Sequence, residues 1–173
     1  MAQNKTTPRQ NDDLLDSAWR IYKDAQDLIK FADRKINILL IISGVMITFV
    51  FNQVGTIKAS GDMAYVALAA FLVALSLFLL FSLLALFSRK EAKSGIGVSQ
   101  LIFFGHIGSR KSADEYYEIF KDASSDSILR DLCFQIHGLG IITTTKYTHY
   151  KRAWWALCTQ ILTFIALIWI VAQ

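Results

Sequence analysis

Three long apolar blocks without a single charge constrain the fold of this chain more than any other feature. They cover residues 36–51, 63–87 and 154–172. A helix needs about 20 apolar residues to cross a hydrocarbon core roughly 30 Å thick. The second and third blocks meet that length, and the first extends to residue 54 on a longer helical pattern. We therefore expect transmembrane helices at 36–54, 63–87 and 154–172.

A soluble fold would have to bury all three blocks in one core. The chain has 173 residues, of which 54% are hydrophobic and 18% charged. A domain of this size cannot surround three helices that are apolar on every side. The sequence therefore predicts a mainly α integral membrane protein. Its small helical cytoplasmic domain is formed by the N-terminal helix and the 88–153 segment.

The basic residues predict the orientation. Residues 1–35 contain seven Lys and Arg and residues 88–153 contain ten, whereas the 55–62 loop contains only Lys58. Segments rich in Lys and Arg stay in the cytoplasm. We expect a multi-pass protein of the bacterial inner membrane with a cytoplasmic N-terminus, a periplasmic 55–62 loop and a periplasmic C-terminus. The charged first 35 residues predict no cleavable signal peptide.

The N-terminal region is predicted to be one long helix. Residues 1–10 are typical of a disordered tail, and residues 11–35 carry apolar side chains at helical spacing. This cytoplasmic helix is expected to continue into the first span, from about Asp12 to Asn52.

The 88–153 segment is predicted to be a folded cytoplasmic sensing segment. Ser112 and Glu115 have the spacing of a capping box, which predicts a helix over Ala113–Ala123. Ser124–Ser127 is typical of a turn and a new N-cap, from which a helix is expected to run into the third span. Ser94–Lys111, which is punctuated by glycines, is predicted to form a buried strand or turn.

The sequence contains no motif that indicates catalysis. The three histidines lack partners at metal-ligand spacing, and Cys133 and Cys158 have no predicted disulfide. We expect no enzyme activity, no metal, no cofactor and no nucleic-acid partner.

Several short motifs, in order, resemble the Pycsar transmembrane effector family from about Ala25 to Val171. The residues that carry the resemblance are Ala32-Asp33-Arg34-Lys35, Ile38-Leu39-Leu40, Ser99–Ile107, Glu115-Tyr116-Tyr117, Asp131-Leu132, Gln135-Ile136 and Lys146-Tyr147. Arg34 departs from the small or hydroxyl residue that is common at its position.

The resemblance implies a bacterial antiphage effector. A partner pyrimidine nucleotide cyclase would make a cyclic pyrimidine mononucleotide (cCMP or cUMP) on infection. The effector would respond to this second messenger and impair the inner membrane, causing abortive infection. The alternatives are a constitutive, holin-like lesion former and a non-toxic membrane adaptor that docks a cytoplasmic partner.

A cyclic mononucleotide site needs a base for the phosphate, a plane for stacking and a few polar groups. The predicted ligand-binding residues are Arg110, Lys111, His106, Lys146, Tyr147 and Gln135. Arg110 is the strongest candidate, because it follows Gly105 and Gly108, where backbone can approach a ligand, and precedes the Ser112 cap of a helix whose N-terminus favours anions. The alternative is a solvated loop arginine. Tyr147 can also be read as part of an interfacial aromatic belt.

Asp33 has no role in anchoring a span, because the positive-inside rule concerns only bases. A carboxylate near the membrane boundary is costly unless it is paired. We predict a gating latch between Asp33 and Lys146, which a ligand that competes for the lysine would loosen. The alternative is a solvated surface carboxylate.

Small residues in the spans indicate self-association. Gly44 with Thr48, and Ala70 with Ala74, are small pairs four residues apart that let helices approach closely in lipid. A protomer with three spans and no charge inside them has no polar pathway of its own. We therefore expect a homo-oligomer in contact with the lipid bilayer.

Overall fold

The computed structural model describes residues 8–88 and 101–173 of the chain, and all of its regular structure there is helical. The predicted mainly α fold is confirmed. The helices are α1 (Pro8–Asn52), α2 (Val54–Ala59), α3 (Asp62–Leu86), α4 (Phe104–Gly108), α5 (Ala113–Lys121) and α6 (Ser125–Val171).

Three of these helices, α1, α3 and α6, are long and apolar enough to cross a membrane. They contain the three predicted spans. Helix α1 is continuous, as expected, but it begins at Pro8, so residues 8–10 are helical and not part of a disordered tail. Proline is favoured in the first turn of a helix because its missing N–H has no partner to lose there. Residues 1–7 lie outside the described part of the chain.

The connection between the first two spans contains a short helix that the sequence did not predict. Helix α1 ends at Asn52, and Val54–Ala59 forms the separate helix α2, which begins at the last residue of the predicted span and continues into the predicted loop. The side chain of Ile57 is buried, which explains why this turn of helix forms. Gly61 then adopts a φ of +81°, a conformation that glycine reaches without steric cost, and α3 starts at the next residue.

The chain divides into two compact units. The small-helix unit consists of Met1–Leu28 and Arg89–Thr143, and the spanning unit consists of Ile29–Ser88 and Thr144–Gln173. Helices α1 and α6 each contribute residues to both units. In α6, the boundary falls within a stretch that contains Gly138, Gly140 and the threonines Thr143–Thr145.

The core of the spanning unit consists of apolar side chains from the three long helices and from α2. Phe71 and Phe78 of α3 are fully buried, and the ring of Phe71 lies 6.1 Å from that of Phe164 on α6. Alanines on α3 let the neighbouring helices approach closely. The other buried members of this core are Leu39, Met46, Val50, Ile57, Ala64, Ala153, Leu157 and Leu167.

Short polar contacts cap the N-termini of α5 and α6 in the small-helix unit. The Glu115 N–H donates to Ser112 Oγ (3.1 Å), and the Lys111 N–H donates to Glu115 Oε2 (2.9 Å). The capping box is therefore present, although its glutamate accepts from the N–H of Lys111, one residue before the cap, and not from that of Ser112. Ser124 caps α6 as predicted, because its Oγ accepts from the Ser127 N–H at 3.1 Å.

Between the second span and α5, the described residues contain no strand. Leu101–Phe103 is irregular, and α4 follows it as a single helical turn. Of the strand and turn that the sequence allowed, the strand is wrong for residues 101–111. The rest of the predicted segment, 94–100, lies outside the described residues.

Candidate functional site

Lys146 of α6 joins three helices of the spanning unit. Its Nζ lies 2.5 Å from Asp33 Oδ1 of α1 and 3.5 Å from the backbone carbonyl oxygen of Leu86, the last residue of α3. The side chain of Lys146 is 5% exposed and that of Asp33 is 37% exposed. The predicted ion pair is therefore present, and it has a third member that the sequence did not indicate. We call Lys146, Asp33 and the Leu86 carbonyl the latch.

The two charged side chains of the latch differ in how far they are buried. A buried ammonium is stable only when its charge is paired and its N–H groups are hydrogen-bonded. The last carbonyls of a helix lack partners within that helix and carry the negative end of its dipole, so Leu86 favours a cation beside it. Asp33, which is more exposed, retains access to water. Loss of the Asp33 carboxylate would therefore leave a buried charge on Lys146 unpaired, whereas loss of Lys146 would leave Asp33 in contact with water.

Lys35 makes a second contact between α1 and α6 near the latch in sequence. Its Nζ lies 4.4 Å from the ring centroid of Phe31 and 5.6 Å from that of Tyr150 on α6. Cations over aromatic rings are stabilised by the ring quadrupole, by about 0.5–1 kcal/mol at exposed sites. The Tyr147 ring lies 6.4 Å from the Tyr150 ring. Tyr147, predicted as a ligand-binding residue, is thus part of an aromatic contact on α6.

A buried polar pair links α1 and α6 farther along the spans. The Oγ of Ser43 lies 3.1 Å from Gln160 Oε1 and 3.0 Å from Gln160 Nε2, and both side chains are buried. A hydroxyl can donate to one of these atoms and accept from the other. Such interhelical hydrogen bonds add about 0.6 kcal/mol on average within membranes. Sequence reasoning missed this pair, although Gln160 is the one amide side chain in the block 154–172.

In the small-helix unit, Asp131 of α6 holds the backbone that precedes α4. Its Oδ2 accepts from the N–H groups of Leu101 (2.7 Å) and Ile102 (2.8 Å). The hydroxyl of Tyr116 donates to the Leu101 carbonyl oxygen at 2.9 Å. Asp131, Leu101 and the adjacent Leu132 are all buried. The sequence indicated Asp131 and Tyr116 only as family motif residues and assigned them no role.

Four predicted ligand-binding residues, His106, Arg110, Lys111 and Gln135, belong to the small-helix unit. Arg110 is half-buried, and its Nε is buried without a hydrogen-bond partner among the described residues. Lys111 is exposed, whereas His106 and Gln135 are half-buried. Lys146 and Tyr147 belong to the spanning unit, so the six residues do not form one cluster within either unit.

The surroundings of Arg110 are more occupied than the sequence suggested. Ser112 Oγ and the Glu115 carboxylate already satisfy two N–H groups near the start of α5, so this terminus is partly occupied. A Cβ at Gly105 would lie 2.7 Å from the Phe103 ring, so the close approach that this glycine permits is used by Phe103. The Nε of Arg110, which has no partner among the described residues, remains a donor with unused hydrogen-bonding capacity.

The fold and these contacts define a helical membrane protein whose long helices carry polar links between them. A family model described as "Pycsar effector protein domain" matches residues 17–173. The chain therefore belongs to the Pycsar effector family, a family of antiphage defence effectors, and the predicted resemblance is confirmed. No curated protein and no solved structure matches the chain.

Proposed function

We propose that this protein is a membrane effector that a cyclic pyrimidine nucleotide, made by a partner cyclase, switches from a latched to a membrane-damaging state. Family membership supports the link to cyclase signalling. The observation that carries the switch is the latch, because a lysine with a 5% exposed side chain contacts both Asp33 and the end of α3. Loss of that contact releases α1, α3 and α6 from one another at a single point.

The ligand site is assigned to the small-helix unit, with Arg110 as the residue that binds the phosphate. A charge-assisted hydrogen bond to a phosphate oxygen would satisfy its unpartnered Nε or the rest of the guanidinium. Lys111, His106 and Gln135 would supply further polar contacts. Lys146 and Tyr147 are less accessible to a ligand, since Lys146 is covered and already paired. We therefore assign the initial binding event to Arg110 and the response to the latch.

The proposed effector acts without catalysis and as a homo-oligomer in the inner membrane. A Cβ at Gly44 would meet no atom within 4 Å, and Thr48 is exposed, so this small pair remains open to a second copy. Ala74 is buried within the protomer, so the pair with Ala70 does not offer an equivalent open surface. Gly44→Leu should lower the oligomer size on gel filtration, whereas Ala70→Leu should not. Equal effects would exclude this contact.

The distribution of bases favours a cytoplasmic N-terminus and a periplasmic C-terminus. A reporter that is active only in the periplasm should work when fused after Gln173 and fail when inserted at Ser124. The reverse pattern would place the small-helix unit on the side of the membrane that lacks the nucleotide.

Dye release from liposomes tests the function itself. Liposomes that contain the purified protein should release dye when cCMP or cUMP is added and should retain it when cAMP or cGMP is added. Release at equal rates without any nucleotide would favour the holin-like alternative. If no nucleotide causes release while the protein is inserted and folded, the adaptor alternative is favoured.

A further inference from the structure

A cavity of about 250 Å³ lies in the spanning unit where α1, α2 and α6 end. Its apolar wall consists of Phe49 and Val50 of α1, Ile57 of α2, and Leu167, Ile168 and Val171 of α6. The volume exceeds that of an engineered cavity of about 150 Å³ that binds benzene. It is smaller than the roughly 300–1,000 Å³ of pockets for drug-sized ligands. A cavity of this volume can hold a narrow apolar group.

The cavity lies one membrane thickness from the latch along the helices. From Asp33 to its last residue, Asn52, α1 rises about 29 Å, since each residue adds about 1.5 Å. The hydrocarbon core is also roughly 30 Å thick. If the charges of the latch lie at one boundary of the core, Gln53 lies at the other. Phe49 and Val50 are then one turn inside the hydrocarbon.

The cavity is continuous with the surface that faces lipid. Phe49 and Ile168 line it, and they remain 42% and 36% exposed. Neighbouring side chains on the same helices, among them Ile165 and Trp169, are more exposed still. In a bilayer, an apolar opening on such a surface meets acyl chains. If the cavity were empty, the side chains that line it would lose dispersion contacts.

Two polar side chains line the cavity near the expected boundary. Thr56 Oγ1 donates to Gln53 Oε1 at 3.2 Å, which orients the amide of Gln53. The contact with Thr56 does not use the N–H groups of Gln53 Nε2, which can donate to a ligand. An ester or phosphate oxygen of a glycerophospholipid lies at this depth of a bilayer, directly above its acyl chains.

We propose that this cavity binds one phospholipid of the bilayer, with an acyl chain against the apolar wall and an ester or phosphate oxygen on Gln53. The site rests on the insertion of α1 and α6 into the membrane and does not depend on the nucleotide response. Its test therefore omits the nucleotide, and failure of one proposal does not imply failure of the other.

Alanines on α6 and directly after it provide matched variants. Ala172 lines the cavity and is exposed, whereas Ala166 is exposed but does not line it. Ala172→Trp should fill the cavity, and Ala166→Trp adds the same bulk to the lipid-facing surface. Gln53→Leu keeps the cavity and removes the polar contact.

Native mass spectrometry of the full chain, extracted in mild detergent and washed free of loose lipid, counts the bound phospholipid. We expect one phospholipid per chain in the parent and in Ala166→Trp, and at least about tenfold lower occupancy in Ala172→Trp. Gln53→Leu should fall between them. Gel filtration verifies that each variant keeps its fold. Equal retention in the two tryptophan variants, or no retained lipid in the parent, would overturn the proposal.

Discussion

The two units use polar side chains in opposite ways. In the small-helix unit, the side chains of Asp131 and Tyr116 bind the backbone of Leu101 and Ile102. In the spanning unit, Lys146 binds the Asp33 side chain, and Ser43 and Gln160 bind each other. The difference follows from the backbone. The irregular residues before α4 need external partners, whereas long helices satisfy their own N–H and C=O groups and leave polar side chains to join helices.

The largest effect is expected from the contact between side chain and backbone. Asp131→Ala leaves the buried N–H of Leu101 and the partly buried N–H of Ile102 without a partner, and each costs up to about 1–3 kcal/mol. We expect a loss of about 2–6 kcal/mol in the stability of the small-helix unit. Faster amide hydrogen exchange at 101–108 would report it. Asp122→Ala, which removes an exposed carboxylate from the same unit, serves as the control. Equal exchange in the two variants would show that Asp131 does not hold this segment.

The latch should respond asymmetrically to the loss of its two charges. Asp33→Asn leaves the covered charge of Lys146 unpaired. We expect a cost of up to about 3 kcal/mol, the lower end for breaking a buried pair, because Asp33 is partly solvated. Lys146→Met removes the covered charge and leaves Asp33 to water, so its cost should be smaller. Thermal unfolding in detergent and basal dye release without nucleotide measure both effects.

Lys151→Met, which changes an exposed lysine about 1.4 turns farther along α6, is the control for the latch. It should leave stability and basal release unchanged. If Asp33→Asn behaves like this control in both measurements, the carboxylate is merely a surface group and the switch does not operate through it.

Arg110→Ala should act on the response to nucleotide and not on stability. Loss of one charge-assisted hydrogen bond is worth roughly 1.5–3 kcal/mol, so the dose–response curve for dye release should shift by about tenfold or more. Lys121→Ala, which removes an exposed cation from the same unit, should not shift it. An unmoved curve for Arg110→Ala would assign the binding site to other residues, with Lys146 and Tyr147 the next candidates.

The smallest effect is expected within the spans. Gln160→Leu removes the hydrogen bonds to Ser43 and should lower stability by about 0.6 kcal/mol, the average for such bonds in a membrane. Thr159→Val, which changes an exposed side chain on the adjacent position, is the control. Unfolding in sodium dodecyl sulfate resolves the difference. A loss of several kcal/mol would mean that this pair, and not the latch, dominates the contact between α1 and α6.

The sequence predicted the spans and the ion pair because each has a local signal. Apolar blocks of sufficient length specify helices in lipid, and an acid beside a span has no anchoring role, so Asp33 required a partner. Lys146 was the preferred candidate among the bases on the other membrane-crossing helix, where Lys151 and Arg152 lie closer to the third span. The contact to the Leu86 carbonyl carries no such signal, since every residue has a carbonyl group.

The contacts missed by the sequence depend on residues far apart in the chain. Asp131 binds N–H groups 30 and 29 residues away, and nothing in its local pattern distinguishes it from a solvated carboxylate. Ser43 and Gln160 are 117 residues apart. In both cases the partner is set by tertiary packing.

In α6, the boundary between the units falls near residues that form helices poorly. Gly138, Gly140 and Thr143–Thr145 all have weaker helix propensity than alanine, by about 1 kcal/mol for each glycine and less for each threonine. A Cβ at Gly140 would meet no atom within 4 Å, so packing does not require glycine there. The Thr143 hydroxyl donates to the Leu139 carbonyl oxygen at 2.7 Å, a contact that often bends helices. Gly140→Ala, which adds a single methyl group where nothing obstructs it, should therefore stabilise α6 by about 1 kcal/mol near the point where the helix passes from one unit to the other.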